Sequence, residues 1–226
     1  MSAVHLRIKD GIAELRLDNP SKLNAFTVSM LDQMAAHLDT IDRADDIIGV
    51  AVTAEGQRAF CAGADINGWG DLSAASFARH WVRDGHRIFD RLARLTKPTI
   101  AALNGHAFGG GLELAAACDL RAMTSGATLG LPEAGVGIVP GWSGTQRLAR
   151  LMGEPVIKEM ALFGRRINAQ RAHQLGFVAE VTETVEEAAL EMLHQVAQLS
   201  PRAVEITKSM IHAGQGEDSN AMVDML

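Results

Sequence analysis

Three segments of the chain place glycines beside side chains that could do chemistry. They are FCAGADINGWG (60–70), NGHAFGGGLELAAACD (104–119) and LPEAGVGIVPGWSGTQRL (131–148), and each follows an apolar, strand-like run. Glycine lets a backbone approach a ligand closely and aim N–H groups at it, and a helix N-terminus adds free donors and a partial positive charge. Such loops suit the binding of an anionic oxygen.

Two carboxylates, Glu113 and Glu133, lie just downstream of these glycine-rich turns. A glutamate at the start of a helix usually stabilises the helix dipole and faces solvent. The helix around Glu113 is instead apolar on nearly every side, which predicts that it is buried and that the acid faces a partner or a cavity. Glu133, beside Pro132, is the weaker candidate from sequence alone, because an ordinary loop acid would look the same.

Motifs for other chemistries are missing from the sequence. Pro140 stands where GVGIVPG would need the third glycine of a dinucleotide fingerprint, and Ser143 in GWSGT lacks the spacing of a nucleophile elbow. The eight histidines never pair as HxH or HExxH, which argues against a zinc site. Cys118 lies in an apolar helical run and is expected in the core. We therefore expect no metal and no permanently bound cofactor.

The elements that must position these residues alternate between strands and helices. An alternating pattern around Asp10-Gly11 predicts a hairpin over 4–17. The β-branched runs IIGVAVTAEG (47–56) and TIAALNG (99–105) predict buried strands, and amphipathic helices are expected over 29–43 and 73–95. This order predicts an α/β layer fold. The last third of the chain has helical periodicity over 155–175, 185–199 and 201–213.

Composition narrows the class of protein. The 226 residues are 47% hydrophobic and contain no run long enough to cross a bilayer, so no membrane partner is expected. The net charge of -6, with scattered basic residues, argues against a nucleic-acid partner. Only Cys61 and Cys118 occur, outside any CxxC, and the N-terminus has no signal-peptide pattern. We therefore expect a cytoplasmic protein.

Six segments, in this order, resemble the enoyl-CoA hydratase/isomerase (crotonase) superfamily. They are NPSKLNAF (19–26), AFCAGADI (59–66), NGHAFGGGLELAAACDL (104–120), LGLPEAGVGIVPGWSGTQRLARLMG (129–153), GRRINAQRAHQLGFVAEV (164–181) and SPRAVEITK (200–208). The resemblance implies a crotonase-like spiral of ββα units with a C-terminal helical trimerisation region. We assign residues 1–195 to the core and 196–226 to the helical region, which looks short of the usual family tail. A homo-oligomer, either a trimer or a dimer of trimers, is expected.

The resemblance also implies roles for the glycine-rich segments. The backbone N–H groups of Ala64 and Gly110 match the family's oxyanion hole for the thioester carbonyl of an acyl-CoA. Glu113 and Glu133 match the two catalytic glutamates of the hydratases, and Gly141 matches a position whose backbone helps seat the water. These matches imply an enoyl-CoA hydratase, a lyase that converts a trans-2-enoyl-CoA to a 3-hydroxyacyl-CoA, as in fatty-acid β-oxidation.

Contacts to coenzyme A are implied at two places. Around the adenine they are Lys22 and the backbone of Asn24, Ala25 and Phe26, and along the pantetheine they are Ala64, Asp65, Ile66 and Asn67. Asn67 departs from the lysine of many hydratases, and Trp142 and Ser143 depart from the small residues that many relatives have after PG. Trp142 either packs in the core or forms a wall of the acyl pocket, and the sequence favours neither.

Other functions stay open at this point. Double-bond isomerisation or acyl-CoA hydrolysis could use the same oxyanion hole with one acid, and a non-catalytic CoA-binding relative could keep the fold. Dienoyl-CoA isomerases resembling this family have an acid at the position of Gly141, and simple isomerases usually lack the one at Glu113, so both residues favour hydration. One branch of the family binds RNA through a lysine-rich helix, but residues 29–43 are nearly devoid of lysine.

Overall fold

A computed structural model describes residues 2–68 and 73–214 of the chain. Within these ranges the strands form two sheets. The strands are β1 (Ala3–Lys9), β2 (Ile12–Asp18), β3 (Gly49–Ala54), β4 (Ala59–Cys61), β5 (Thr99–Leu103), β6 (His106–Phe108), β7 (Leu120–Met123), β8 (Thr128–Gly130), β9 (Ile167–Asn168) and β10 (Glu180–Val181).

Helices cover the sheets and connect them. They are α1 (Val28–Asp42), α2 (Ala74–Ser76), α3 (Arg83–Arg94), α4 (Gly110–Ala117), α5 (Gly144–Met152), α6 (Glu154–Ala161), α7 (Ala169–Gln174), α8 (Val185–Val196) and α9 (Pro201–Gly214). A π-helical stretch, Phe77–Val82, joins α2 to α3, and short 3₁₀ turns occur at Pro20–Lys22, Ile66–Gly68 and Glu133–Val136.

The chain alternates between the two sheets. One sheet has the order β1-β2-β3-β5-β7-β10 and the other has β4-β6-β8-β9. The successive pairs β3–β4, β5–β6 and β7–β8 each contribute one strand to each sheet, and a helical segment follows each pair. The predicted spiral of ββα units is thereby confirmed.

The spiral brings the three glycine-rich segments to one place. Strand β6 runs parallel to both β4 and β8. Parallel strands present their carboxyl ends at the same edge of a sheet. These strands end at Cys61, Phe108 and Gly130, and a glycine-rich segment continues from each end. The fold therefore gathers at one edge three segments that lie far apart in the sequence.

The core follows the apolar periodicity of the sequence. All six residues of β3 are buried, as expected for a strand covered on both faces. Helix α1 buries one face against the first sheet through Met30, Leu31, Met34, Leu38 and Ile41. Helix α8 packs on the other face, where its residues form a second core cluster with those of β3, β5 and β7. The main sheet that supports the site is thus covered by a helix on each face.

Two sequence predictions of element bounds are wrong. The helical pattern over 155–175 is interrupted, because the chain turns at Gly164 with a positive φ of 65° and then pairs β9 antiparallel to β8. Helix α1 begins at Val28 rather than Ser29, since the Thr27 side chain accepts a hydrogen bond from the Met30 N–H and caps the helix. In both cases a local contact outside the periodic pattern decides the boundary.

The described residues include no helix long and apolar enough to cross a membrane. Of the proposed C-terminal region 196–226, the structure describes α9, whereas residues 215–226 lie outside the described part. The division of the chain at residue 195 stays a prediction.

Candidate functional site

A cavity of about 370 Å³ lies where the three glycine-rich segments meet. One wall comes from residues 62–64, a second from Gly109, Gly110 and Glu113, and a third from residues 132–142. The π-helical stretch closes the side, through Phe77, Trp81 and Val82. The proposed catalytic glutamates, oxyanion donors and Gly141 therefore all line one cavity.

Two residues that line this cavity have backbone N–H groups without an acceptor among the described residues. Phe26 N–H donates to the Gly63 carbonyl and Asp65 N–H donates to the Phe26 carbonyl, so the Ala64 N–H lies on the other edge of this bridge. The Gly110 N–H is the first of α4, where no carbonyl of the helix can accept it. The two segments nearly touch, since a Cβ on Gly110 would lie 3.5 Å from the Gly63 Cα. The pair can bind one oxygen that gains negative charge.

Glu113 is held inside the protein by backbone donors. Its side chain is 2% exposed, and its Oε1 accepts hydrogen bonds from Trp142 N–H at 2.8 Å and Gly144 N–H at 2.7 Å. Burial raises the pKa of Glu113 above its usual value, while these two donors and the charge of Arg147 oppose that rise. One carboxylate oxygen is thus fixed at the cavity wall. The protonated form of Glu113 is favoured more here than it would be for a glutamate in water.

Glu133 is a buried acid with an unsatisfied oxygen. It opens the 3₁₀ turn after β8 and is 7% exposed, and its Oε2 has no hydrogen-bond partner among the described residues. Burial raises the pKa of Glu133 to about 7, and the negative charge of Glu113 adds to the rise. At neutral pH both the acid and the carboxylate are populated, so this group can give or take a proton.

Glycine at position 109 is what allows Glu133 to reach the cavity. Gly109 has a positive φ of 52°, and a Cβ there would lie 2.8 Å from Glu133 Oε1. Any other residue would be strained and would push the carboxyl group away. The glycine run therefore has two roles: Gly109 leaves space for the Glu133 carboxyl group, and Gly110 carries the N–H donor.

Trp142 performs both of the tasks between which the sequence could not choose. Its ring is 3% exposed and packs edge-on against Phe26 and Phe89, at centroid distances of 6.0 and 4.9 Å. It also lines the cavity, and a Cβ on Gly110 would lie 2.5 Å from its Cζ3. Trp142 is a core residue whose ring forms the wall behind the Gly110 donor.

The segments expected to contact coenzyme A lie partly outside the cavity. Ala64 and Ile66 line it, while the backbone from Asn24 to Phe26 runs beside Ala64 through the bridge from Phe26. Within this stretch Ala25 is 7% exposed, and the buried Asn24 amide donates to the Glu55 and Ala59 carbonyls.

The two charged residues of the expected CoA region contact each other. Lys22 Nζ and Asp65 Oδ2 are 2.5 Å apart, and the lysine side chain is half exposed. A phosphate that binds Lys22 must therefore compete with Asp65. Asn67 lies in the turn Ile66–Gly68, and its side chain is outside the described part of the chain.

Arg147 is a buried cation next to the site that no motif of the sequence indicated. Arg147 is 8% exposed, and it donates to the Trp142 carbonyl at 2.9 Å and to Asp90 Oδ1 at 3.1 Å. The sequence signal for a buried cation here was an arginine directly before Leu148, which is a buried residue of α5. Within residues 2–68 and 73–214, no three histidine, cysteine or acidic side chains group closely enough to hold a metal ion.

Comparisons with known proteins find matches over most of the chain. The family described as "Enoyl-CoA hydratase/isomerase" matches residues 7–224. A short-chain-enoyl-CoA hydratase of Clostridium acetobutylicum is 36% identical over 209 residues, which cover 91% of this chain and 80% of that protein. A crotonyl-CoA hydratase of Syntrophomonas wolfei is 34% identical, covering 94% and 82%. The solved structure of an enoyl-CoA hydratase from Bacillus anthracis superposes with a TM-score of 0.92 at 34% identity, covering 98% and 87%.

Proposed function

Because the chain belongs to the enoyl-CoA hydratase/isomerase family, we propose that it acts as an enoyl-CoA hydratase, a hydro-lyase. It adds water across the 2,3 double bond of a trans-2-enoyl-CoA and gives a 3-hydroxyacyl-CoA. The observation that supports this most is the cavity lined by two buried glutamates and by two residues whose backbone N–H groups have no acceptor in the described part of the chain. Acids that transfer protons and donors that bind the thioester oxygen are the groups that this hydration uses.

The donors stabilise the intermediate. When water adds to C3, the electrons of the double bond move through C2 to the thioester oxygen, and an enolate forms. The Ala64 and Gly110 N–H groups bind that oxygen, and the Gly110 donor is aided by the dipole of α4. One such donor lowers the barrier by roughly 3 kcal/mol, because it is fixed before charge develops.

The two glutamates divide the proton transfers. Glu113, whose ionised form is supported by two backbone N–H donors, takes a proton from the water as it attacks C3. Glu133, with a pKa raised to about 7, supplies the proton that C2 receives. The Gly141 backbone, which also lies against the Glu113 carboxylate, helps to seat the water. Transfer of a proton from Glu113 back to Glu133 restores the starting state.

The test is hydration of crotonyl-CoA, followed by loss of the conjugated-thioester absorbance, with Glu113→Gln and Glu133→Gln. We expect each variant to lower kcat by about a hundredfold or more, since each loses a general acid or base. Glu191→Gln, an exposed glutamate on α8, is the matched control and should keep wild-type kcat. Wild-type rates in both site variants would contradict the two-glutamate mechanism.

Mass spectrometry of the product separates hydration from the alternatives. A product heavier by one water supports hydration, an isomer of unchanged mass indicates double-bond isomerisation, and free coenzyme A indicates hydrolysis. No turnover, with binding of the CoA thioester retained, would indicate a non-catalytic relative.

The same proposal includes the contacts to coenzyme A, the assembly of the chain and its location. Lys22 and the backbone of residues 24–26 hold the adenine end of coenzyme A, and residues 64–67 follow the pantetheine towards the cavity. The chain works as a homo-oligomer, a trimer or a dimer of trimers. The free, buried Cys61 and Cys118 support a reducing, cytoplasmic location.

A further inference from the structure

The turn Trp142–Gly144 binds the Glu113 carboxylate, and the backbone conformation of this turn depends on contacts with its neighbours. Its first and last residues both donate their N–H groups to Glu113 Oε1. Between them, Ser143 has a positive φ of 65°, in the left-handed region that residues other than glycine rarely adopt. Such a backbone persists only where neighbouring contacts hold it in place.

Those contacts come from α3. Ser143 Oγ lies 2.5 Å from His86 Nδ1, in a hydrogen bond between two half-buried side chains. The Trp142 carbonyl accepts from Arg147, which in turn donates to Asp90. His86 and Asp90 are four residues apart and lie on the same face of the helix. One face of α3 therefore holds the turn directly through Ser143 and indirectly through Arg147.

The approach of α3 to the turn is close. A Cβ on Gly85 would overlap the Trp142 indole, whose Nε1 donates to the Trp81 carbonyl at 3.2 Å. Since His86 follows Gly85 directly, its ring is placed by a tightly packed part of the helix. The His86 to Ser143 bond is thus built on a rigid support.

We propose that His86 and Ser143 form a positioning pair that keeps the two N–H groups of the turn directed at Glu113 Oε1. Neither side chain lines the cavity, so the pair acts through the backbone of the turn. The inference rests on the proposed function for its kinetic readout. It adds to that function two side chains that the resemblance gives no role, one of them outside the glycine-rich segments.

Loss of the pair has a defined electrostatic consequence. Without Ser143 Oγ held by His86, the turn relaxes and the two donors move away from the carboxylate. Glu113 is faced by Arg147 from α5 and by Glu133 from the 3₁₀ turn, and the backbone donors oppose the effect of its burial. Removing them raises the pKa of Glu113 further, which leaves less of the ionised base at neutral pH.

The kinetic test uses Ser143→Ala, His86→Ala and the double variant. Each single variant should lower kcat about tenfold with KM within about twofold of wild type, because the reacting group and not the CoA contacts is misplaced. The double variant should be no slower than the slower single variant. His86→Asn, which keeps a polar atom near the position of Nδ1, should restore most of kcat.

Two further variants separate the pair from other effects. Ser143→Gly removes the hydroxyl and also the strain of the positive φ, so it should lower kcat less than Ser143→Ala does. Thr145→Ala removes a neighbouring hydroxyl whose hydrogen bond goes to the exposed Gln146 side chain, and it should leave kcat unchanged. Fully additive losses in the double variant, or wild-type kcat in Ser143→Ala, would overturn the proposal.

A second readout does not depend on turnover. In ¹³C NMR titrations of labelled glutamate carboxyls, Glu113 should titrate at higher pH in Ser143→Ala and His86→Ala than in the wild type or Thr145→Ala. This measurement decides the proposal even if the wild type fails to hydrate crotonyl-CoA, an outcome that would count against the proposed function alone. An unchanged Glu113 titration would refute the positioning role.

Discussion

At the scale of single residues, Glu133 is a buried acid whose pKa lies near neutral pH. Its side chain is buried, one oxygen is unpartnered among the described residues, and its pKa is raised to about 7. An ionised carboxylate would normally be stabilised by donors in such a place. No donor among the described residues reaches Oε2, and the cost of ionising the buried group keeps a proton available at neutral pH.

This environment predicts that Glu133 destabilises the protein as the pH rises. Below the ordinary value of 4.5 both the folded and the unfolded states are protonated, whereas between 4.5 and about 7 only the unfolded state loses its proton. Relative to Glu133→Gln, the wild type should lose roughly 3 kcal/mol of unfolding free energy as the pH rises from about 4.5 to about 8. Urea unfolding at a series of pH values measures this difference.

The control for this measurement is the exposed Glu191→Gln, whose stability should follow that of the wild type across the same range. A constant stability difference between wild type and Glu133→Gln would show that Glu133 is not buried in its acid form.

At the scale of elements, the site depends on how closely α4 approaches β4. A Cβ on Gly111 would overlap the Cys61 carbonyl, so the helix can lie against the end of this strand only with glycine there. The same closeness puts the Gly110 N–H beside the segment that carries the Ala64 N–H. The two donors proposed for the oxyanion hole are therefore brought together by helix packing as much as by loop conformation.

Gly111→Ala should reduce both stability and activity. The added methyl has no space, so we expect about 2 kcal/mol or more of lost unfolding free energy together with a displaced α4. Gly126→Ala is the matched control, because nothing lies within 4 Å of the position its Cβ would take. Chemical denaturation and crotonyl-CoA hydration of both variants check the prediction, which would fail if the two behaved alike.

At the scale of the whole molecule, the chain exposes apolar side chains that a partner could cover. Leu162 and Phe163, at the end of α6, are 69% and 77% exposed, and Val136 and Val139 at the cavity are 60% and 77% exposed. Neighbouring exposed apolar side chains are typical of interaction surfaces. They support the proposed homo-oligomer and point to the end of α6 as part of its interface.

Phe163→Asp is accordingly expected to shift the protein from the oligomer towards the monomer, since a carboxylate cannot be buried in an apolar contact without a partner. Sedimentation velocity at matched concentrations measures the assembly. Val28→Glu changes an exposed apolar residue at the start of α1, where an acid favours the helix dipole, and should leave assembly unchanged. A wild type that sediments as a monomer would contradict the oligomer itself.

Much of the fold and of the site could be predicted before the structure was known. The alternation of strands and helices and the buried β3 follow from apolar periodicity, which reports burial one element at a time. The apolar surroundings of Glu113 already indicated that its carboxylate must face a partner or a cavity. The resemblance to a family then added Ala64 and Gly110 and gave Glu133, the weaker candidate from sequence alone, the role of the second acid.

The tertiary structure decided what these residues meet. Parallel pairing of β4, β6 and β8 brings three distant segments to one edge, and no local pattern encodes that convergence. Burial next to Glu113 raises the pKa of Glu133 to about 7, and packing makes Trp142 both a core residue and a cavity wall. Periodicity encodes which residues are buried, but the partner of each buried polar group depends on how the elements stack, and that determines its chemistry.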